Sequence, residues 1–377
     1  MKVCIVGNGG RELTLRYVLA RTAEVVDDVR EADLVVIGPE APLSAGLADD
    51  LRADGKVVFG PGQDGARLES SKAWMKEVLS SAGIPTARHH SFAPGEADEA
   101  VAFLADLPGG YVVKTDYLMG GKGVLVTRDL AEAIGDVRAK LQHGSVVIEE
   151  EMTGPELSLL CVCDGRRSVP LSPARDYKRV GSGDAGPMTG GMGAYSPVAG
   201  VDVDAINASI VQPTLDALRE RGVDYRGCLY AGLMLTPEGP KVVEYNVRFG
   251  DPEAQVVLPR FDGDLAAFLY EAATGEVATA PAFADDAYVC LALAAEGYPG
   301  EVRKGDPISG IADAEAIDGV RVLRVAVTPD DRTDGGRVLN VVARGATVAA
   351  ARATAYAAAA RIRWPGMHYR TDIAQGA

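Results

Sequence analysis

The sequence predicts an α/β protein of more than one domain whose first domain is built on a small parallel sheet. Three observations carry that expectation. Short apolar runs near the N-terminus (Val3 to Val6, the run within Ala32 to Pro42, and KVVFGP ending at Pro61) alternate with helix-like segments such as LTLRYVLART and SAGLADDLRADG, the pattern of parallel βα units. Glycine turns follow the first two runs, at Gly7 to Glu12 and Gly38 to Pro42. The chain has 377 residues, more than one ordinary core holds.

Composition narrows the function classes. Hydrophobic residues make up 47% and charged residues 24%, as in globular chains, and no apolar run approaches the ~20 residues that span a bilayer. The net charge of −15 and pI near 4.8 argue against broad nucleic-acid or acidic-membrane binding. Cys4, Cys161, Cys163, Cys228 and Cys290 are scattered, mostly in apolar runs. They have neither zinc nor disulfide spacing, and so read as reduced core residues of a cytoplasmic protein. MKVCIVGNGG reads as a strand entering a glycine turn, not as a signal peptide.

In the first unit, strand, glycine turn and helix form a phosphate-cradling arrangement in which bare amides face an anion; alone it is an incomplete fingerprint. Only about 25 residues, counted from the first glycine turn and including its helix, lead to the strand at Leu34, a tight fit for another full βα unit. A helix containing SKAWMKEVLSSAG follows, then GGYVVKTDYLMGGKGVLVTRD, Gly109 to Asp129. There Lys114 ends a buried-looking strand, and a glycine loop (Gly120, Gly121, Lys122, Gly123) leads into another. Two strands around a flexible, lysine-bearing loop predict a lid able to close over a triphosphate. SVVIEEEMTGPELSLLCVCDG supplies two further strands. Between them, Glu149, Glu150, Glu151 and Met152 offer backbone groups to a base edge, and Glu156 a carboxylate to ribose hydroxyls.

The segment VVEYNVRFGDPE, Val242 to Glu253, places Glu244, Asn246 and Arg248 at i, i+2 and i+4. On a strand these share one face. A carboxylate beside an amide oxygen suits Mg²⁺, which takes its remaining oxygens from phosphates and water, and Arg248 offers a planar fork to an adjacent anion. An edge strand with solvated polar residues has the same pattern. It is the other parts of a nucleotide site along the chain that favour the metal reading.

Longer strings carry a family resemblance: GPEAPLSAGL (Gly38 to Leu47), LESSKAW (Leu68 to Trp74), DYKRVGSGDAGPMTGGMGAYSP (Asp176 to Pro197), VEYNVRFGDPEAQVVLPR (Val243 to Arg260), AAEGYPG (Ala294 to Gly300), DGGRVLNVVARG (Asp334 to Gly345) and GMHYRTDI (Gly366 to Ile373). In this order they resemble the phosphoribosylamine–glycine ligase branch of the ATP-grasp ligases over nearly the whole chain. The resemblance implies an N-terminal Rossmann-like domain (1–66, shortened), an ATP-grasp domain (67–281) with a mobile lid at about 111–172, and a small C-terminal α+β domain (282–377).

It also implies a carboxylate–amine ligase working through an acyl phosphate, with ATP and Mg²⁺ (Mn²⁺ as a substitute). Its partners would be a small amine and an acid such as glycine, with no nucleic acid or membrane, in a monomer or weak homodimer. Lys72 and Lys114 match lysines that hold ATP phosphates, with Gly120 to Gly123 closing from the lid; Glu149 to Met152 match the adenine hinge and Glu156 the ribose contact. Glu244 and Asn246 match the metal ligands. Arg248, Asp176, Lys178 and the loop Thr189, Gly190, Gly191, Met192, Gly193 would face the acyl phosphate, the loop through backbone amides. Gly9, Gly10, Arg11, Glu12, Pro39, Glu40, Asp251 and Glu253 would hold the amine and acid.

Departures from the family pattern cluster on the amine side. Leu13 stands where a His follows GGRE. Tyr117 and Met119 stand for small lid residues, and Arg175, Tyr177 and Met188 for Gln, His and Asn. No PGNAG-like phosphate loop lies between Thr22 and Asp33. Two substrate readings therefore stay open: the purine-pathway reaction, or a specialised relative joining another amine or acid. A non-catalytic nucleotide-binding subunit would show damage at Lys72, Lys114, Glu244, Asn246 or Arg248, and all five are present.

Overall fold

The computed structural model describes residues 1–116 and 123–377. Four parallel strands open the fold: β1 (Lys2–Val6), β2 (Glu24–Val26), β3 (Leu34–Ile37) and β4 (Val57–Phe59), in the order β2-β1-β3-β4. Leu34–Ile37 is buried throughout, as a strand covered on both faces must be. Helix α1 (Gly10–Leu19) follows β1, and α2 (Glu40–Ser44) and α3 (Leu47–Ala53) follow β3. The interval between Thr22 and Asp33 is more than a shortened link. It holds β2, which pairs with β1 from Lys2↔Glu24 to Cys4↔Val26, and one tight helical turn at Val29–Glu31. A three-residue strand with an exposed first residue has too little periodicity to be read locally; the free edge of β1 decides it.

Two helices, α4 (Gln63–Ser70) and α5 (Lys72–Ser81), lead to a second sheet of β5 (His89–Phe92), β6 (Tyr111–Thr115), β7 (Val124–Thr127) and β8 (Val146–Glu150), ordered β5-β8-β6-β7. Its core, including Phe92, Leu104, Val113, Val137 and Ile148, is separate from the main one. The chain continues through β9 (Glu156–Asp164), β10 (Ser168–Pro170), β11 (Arg175–Asp176), the hairpin β12 (Arg179–Gly181) and β13 (Ala185–Met188), and β14 (Gly193–Ser196). Then come β15 (Arg226–Thr236), β16 (Gly239–Asn246), the short pair β17 (Phe261–Asp262) and β18 (Ala282–Phe283), and β19 (Ala287–Ala294), β20 (Val320–Arg324) and β21 (Arg337–Gly345).

The adjacent strands β8 and β9 part company: β9 joins an antiparallel sheet ordered β10-β9-β15-β16. A five-stranded sheet, β11-β14-β19-β21-β20, takes two strands from 175–196 and three from beyond 286, so it crosses the boundary expected at 281/282. The Ala-rich C-terminal helix Val348–Ala359 buries Ala351, Ala355, Ala358 and Ala359, and Thr347 caps it by accepting from the Ala350 amide. All five cysteines are free and buried. No helix among the described residues is long and apolar enough to cross a membrane.

Candidate active site

A cavity of about 370 Å³ is lined by residues from segments far apart in sequence, from Arg11 to Arg337. Helix α1 brings Arg11, α2 Glu40, α5 Lys72, and the end of β16 Glu244, Asn246 and Arg248. Ser71 caps α5 by accepting from the Trp74 amide, and its hydroxyl, with the Ala73 amide, bonds Asp116 at the end of β6. The first helical residue, Lys72, is thereby tied to the second sheet and opens on the cavity without an acidic partner among the described residues.

Along Glu244–Phe249 the alternation is as expected: 244, 246 and 248 are half-buried at the cavity, while Tyr245, Val247 and Phe249 are buried. Glu244 has no basic partner among the described residues, so its carboxylate is available to a cation. Asn246 Oδ1 accepts from Arg248 Nη2 at 3.0 Å, which uses one of its two lone pairs. No cluster of three His, Cys, Asp or Glu with metal geometry occurs among the described residues. A pair of oxygen donors without such a cage fits Mg²⁺ shared with phosphates.

Arg248 is held from two sides. Nη2 bonds Glu69 Oε1 at 3.0 Å and Nε faces Glu40 at 3.6 Å. Burial alone would lower its pKa, but Glu69 and Glu40 outweigh burial and raise it. Lys178 behaves alike: against burial, Asp176 at 2.7 Å and Glu156 at 3.4 Å keep it charged. Glu156 itself is pushed up, chiefly by burial. A hydrogen-bonded chain runs from Glu253 through Tyr230 (2.8 Å) and Ser158 (3.0 Å) to Asp176 (3.2 Å). Burial, with Asp176 near, lifts the Glu253 carboxyl to about 7.

On the opposite wall, Asp251 accepts from the Arg11 amide at 3.4 Å and pairs with Arg337 at 3.2 Å. Burial opposes its ionisation, but Arg337 and Arg11 hold its pKa below the ordinary value. The carboxylate therefore faces the first turn of α1, whose N-cap Gly9 makes no side-chain cap, where the amides favour negative charge.

Several expected contacts are placed elsewhere. Lys114 does not line the cavity: its Nζ bonds Glu149 at 2.8 Å and the Val243 carbonyl at 3.2 Å. The Glu149 side chain is a fully buried counter-ion shared with Lys76 at 3.0 Å. Burial and the nearby Lys114 lower Lys76 to about 8. The amides of Glu150 and Glu151 go to the carbonyls of Arg88 and Gly110, leaving Met152 as the hinge residue whose amide makes no backbone bond among the described residues. In the TGGMG loop, Thr189 and Gly190 line the cavity, but the amides are engaged: Thr189 to Lys178 O, Gly190 to Tyr298 Oη, Gly191 to Thr189 Oγ1 and Met192 to Tyr177 O. Met192 is buried, and Gly193 starts β14, where a Cβ would strike the Cys290 carbonyl.

Gly9, Gly10, Glu12 and Pro39 lie beside the cavity, not on its wall. Glu12 is 1% exposed, pairs with Arg11 Nε at 2.6 Å, and fills the hollow above Gly38, where any Cβ would overlap its carboxylate. Gly120, Gly121 and Lys122, with Tyr117 and Met119, fall outside the described residues; Gly123 lines the cavity. Glu69 and Arg337 are further charged residues on the wall, within the strings LESSKAW and DGGRVLNVVARG.

The facing sheets, with a free carboxylate, an amide and a cationic clamp between them, define an ATP-grasp protein. Residues 23–69, 70–254 and 288–376 match the sequence profiles of the N, ATP-grasp (A) and C domains of phosphoribosylglycinamide synthetase. The chain belongs to this family. It is 47% identical over 352 residues to a phosphoribosylamine–glycine ligase of Leifsonia xyli, covering 91% of this chain and 84% of that one. It is 43% identical over 418 residues to the Synechocystis ligase, covering 99% of each. That alignment is longer than the chain itself, so the relative holds residues with no counterpart here. The Thermotoga maritima phosphoribosylamine–glycine ligase structure matches with a TM-score of 0.86 at 32% identity, covering 99% of this chain and 100% of that one. A biotin carboxylase domain from Hydrogenobacter thermophilus shares the fold, with a TM-score of 0.69 at 14% identity, covering 97% of this chain and 91% of that one.

Proposed function

We propose that the chain joins glycine to phosphoribosylamine at the expense of ATP, forming glycinamide ribonucleotide, ADP and phosphate. The observation that carries this is the single cavity in which Lys72, the Glu244–Asn246–Arg248 face and the Arg11–Asp251–Arg337 wall meet. A glycine carboxylate oxygen attacks the terminal phosphorus, the bond to ADP breaks, and an acyl phosphate forms. The amine nitrogen then attacks the acyl carbon, phosphate leaves with the bonding pair, and the nitrogen loses a proton.

In this reading Lys72 and Arg248 hold phosphoryl oxygens as charge moves onto them. Glu244 and Asn246 hold Mg²⁺, which offsets phosphate charge when bound, with Mn²⁺ able to replace it. Met152 offers its amide to adenine and Glu156 faces ribose. Arg337 and Arg11 fix Asp251 on the substrate side, and Glu253, whose carboxyl is poised near 7, suits the proton given up by the amine. The relatives' shared name favours phosphoribosylamine over another amine. Five free thiols fit a cytoplasmic setting, and we expect a monomer or weak dimer.

An ADP-release assay with glycine and freshly made phosphoribosylamine, against a panel of other amines and acids, tests the proposal. Turnover requiring both named substrates is expected; release with a different amine, and none with phosphoribosylamine, would overturn it.

A further inference from the structure

A second hollow, of about 320 Å³, lies at the far end of α1 and shares no lining residue with the catalytic cavity. Its wall carries Arg21 and Tyr17 from α1 and the turn after it, Tyr288 from β19, Arg321 from β20 and Arg344 from β21. No Asp or Glu lines it, although the chain holds 53 acidic against 38 basic residues. Arg321 and Arg21 form no ion pair among the described residues; Arg344 faces Asp286 at 3.7 Å.

The arginines are also shaped by their surroundings. Arg321 lies over the Tyr17 ring at 4.3 Å, with Arg21 at 6.0 Å from the same ring, and Arg21 Nη1 is anchored on the Pro259 carbonyl at 3.1 Å. Stacking and anchoring hold guanidinium groups in place and leave their remaining donors open. The hydroxyls of Tyr17 and Tyr288 form no hydrogen bond among the described residues. Three cations and two hydroxyl donors thus converge from four elements on a space of small-ligand size, and of the three only Arg344 has an acidic partner among the described residues.

We propose that this hollow binds a small phosphate monoester. A monoester carries about 1.5 to 2 negative charges and three acceptor oxygens at neutral pH, which matches several arginine forks better than a single carboxylate does. The two tyrosines give the rest of the molecule an amphipathic wall. Because α1 and β21 each reach both cavities, through Arg11 and Tyr17 and through Arg337 and Arg344, activity is an ambiguous readout, and binding is read directly.

The test is hydrogen–deuterium exchange of the full chain, with the catalytic cavity kept filled by Mg²⁺ and a non-hydrolysable ATP analogue. Inorganic phosphate, ribose 5-phosphate and guanosine monophosphate are added in turn, and the arms separate recognition of phosphate, sugar and base. At least one monoester is expected to protect 14–22, 286–290 and 319–324 in a saturable way. In the Arg21→Ala/Arg321→Ala variant its affinity should fall at least tenfold, since each charge-assisted contact is worth roughly ten- to a hundredfold, while basal ligation is unchanged. Three results would overturn the proposal: no protection with any probe, equal protection in the variant, or ligand-independent protection that grows with protein concentration. The last would assign the hollow to contact between copies of the chain.

Discussion

Glu69 Oε1 lies 3.0 Å from Arg248 Nη2, while Glu69 Oε2 accepts the Val247 amide at 2.8 Å. One carboxylate on α4 therefore sets both the backbone and the side chain of the charge-bearing face on β16. Removing one partner of a buried pair strands the other. Glu69→Ala is expected to lose about 3 kcal/mol of stability and to raise the KM for ATP, with Glu69→Gln intermediate on both measures. Urea melts and steady-state kinetics check this; an Ala variant of wild-type stability would show that Arg248 needs no such support.

The metal pair is tested by Glu244→Gln and Asn246→Ala. Neither residue closes an ion pair that holds the fold together, so melting temperatures should stay close to wild type. Turnover at ordinary Mg²⁺ should drop roughly a hundredfold or more, as expected when a metal contact made during phosphoryl transfer is lost. Near-normal turnover in either variant would remove that residue from the ligand set.

The Gly38 position supplies a packing test. Glu12, on the first turn of α1, occupies the space a Cβ at Gly38 would need, and both lie beside the cavity. Gly38→Ala should destabilise the chain by about 1–3 kcal/mol through overpacking and weaken amine binding. Adding Glu12→Ala should restore part of the lost stability. If the double variant is worse than the sum of the single changes, the contact is not the source of the strain.

Glu253 predicts a pH effect on stability. Its carboxyl is raised from 4.5 to about 7 in the fold, so between those values the folded chain binds more protons than the unfolded one. This group's contribution is full below about pH 4.5 and is lost as pH rises through about 7. Relative to Glu253→Gln, the wild type should lose up to about 3 kcal/mol of stability across that window. Paired urea melts at its two ends measure the difference, and a constant gap would mean the group does not titrate there.

Much of this organisation is written locally. The alternation of Glu244, Asn246 and Arg248 against Tyr245, Val247 and Phe249 follows from the two-residue strand period, so the charged face was legible without a fold. The same holds for the strand–turn–helix at β1 and α1, for the helix containing SKAWMKEVLSSAG, and for the strand β9. The strings shared with the ligase family extended this to the order of the domains.

Tertiary structure decided what depends on partners distant in the chain. Asp251 and the α1 amide of Arg11 are 240 residues apart, and nothing in either neighbourhood announces the pairing. In sequence, Lys114 and Glu149 are two charged side chains 35 positions apart on separate strands. They turn toward each other because a strand pairing and the nearby Lys76 make an ion cluster the way to bury three charges together. The TGGMG amides, free on paper, were taken by Lys178, Tyr298 and Tyr177 once the sheets met. Strand β2 exists because β1 offered an unpaired edge. A sequence records the periodicity and chemistry of each segment; which charges neutralise which, and which backbone donors remain open to a ligand, is settled only when desolvation forces every buried group to find a partner.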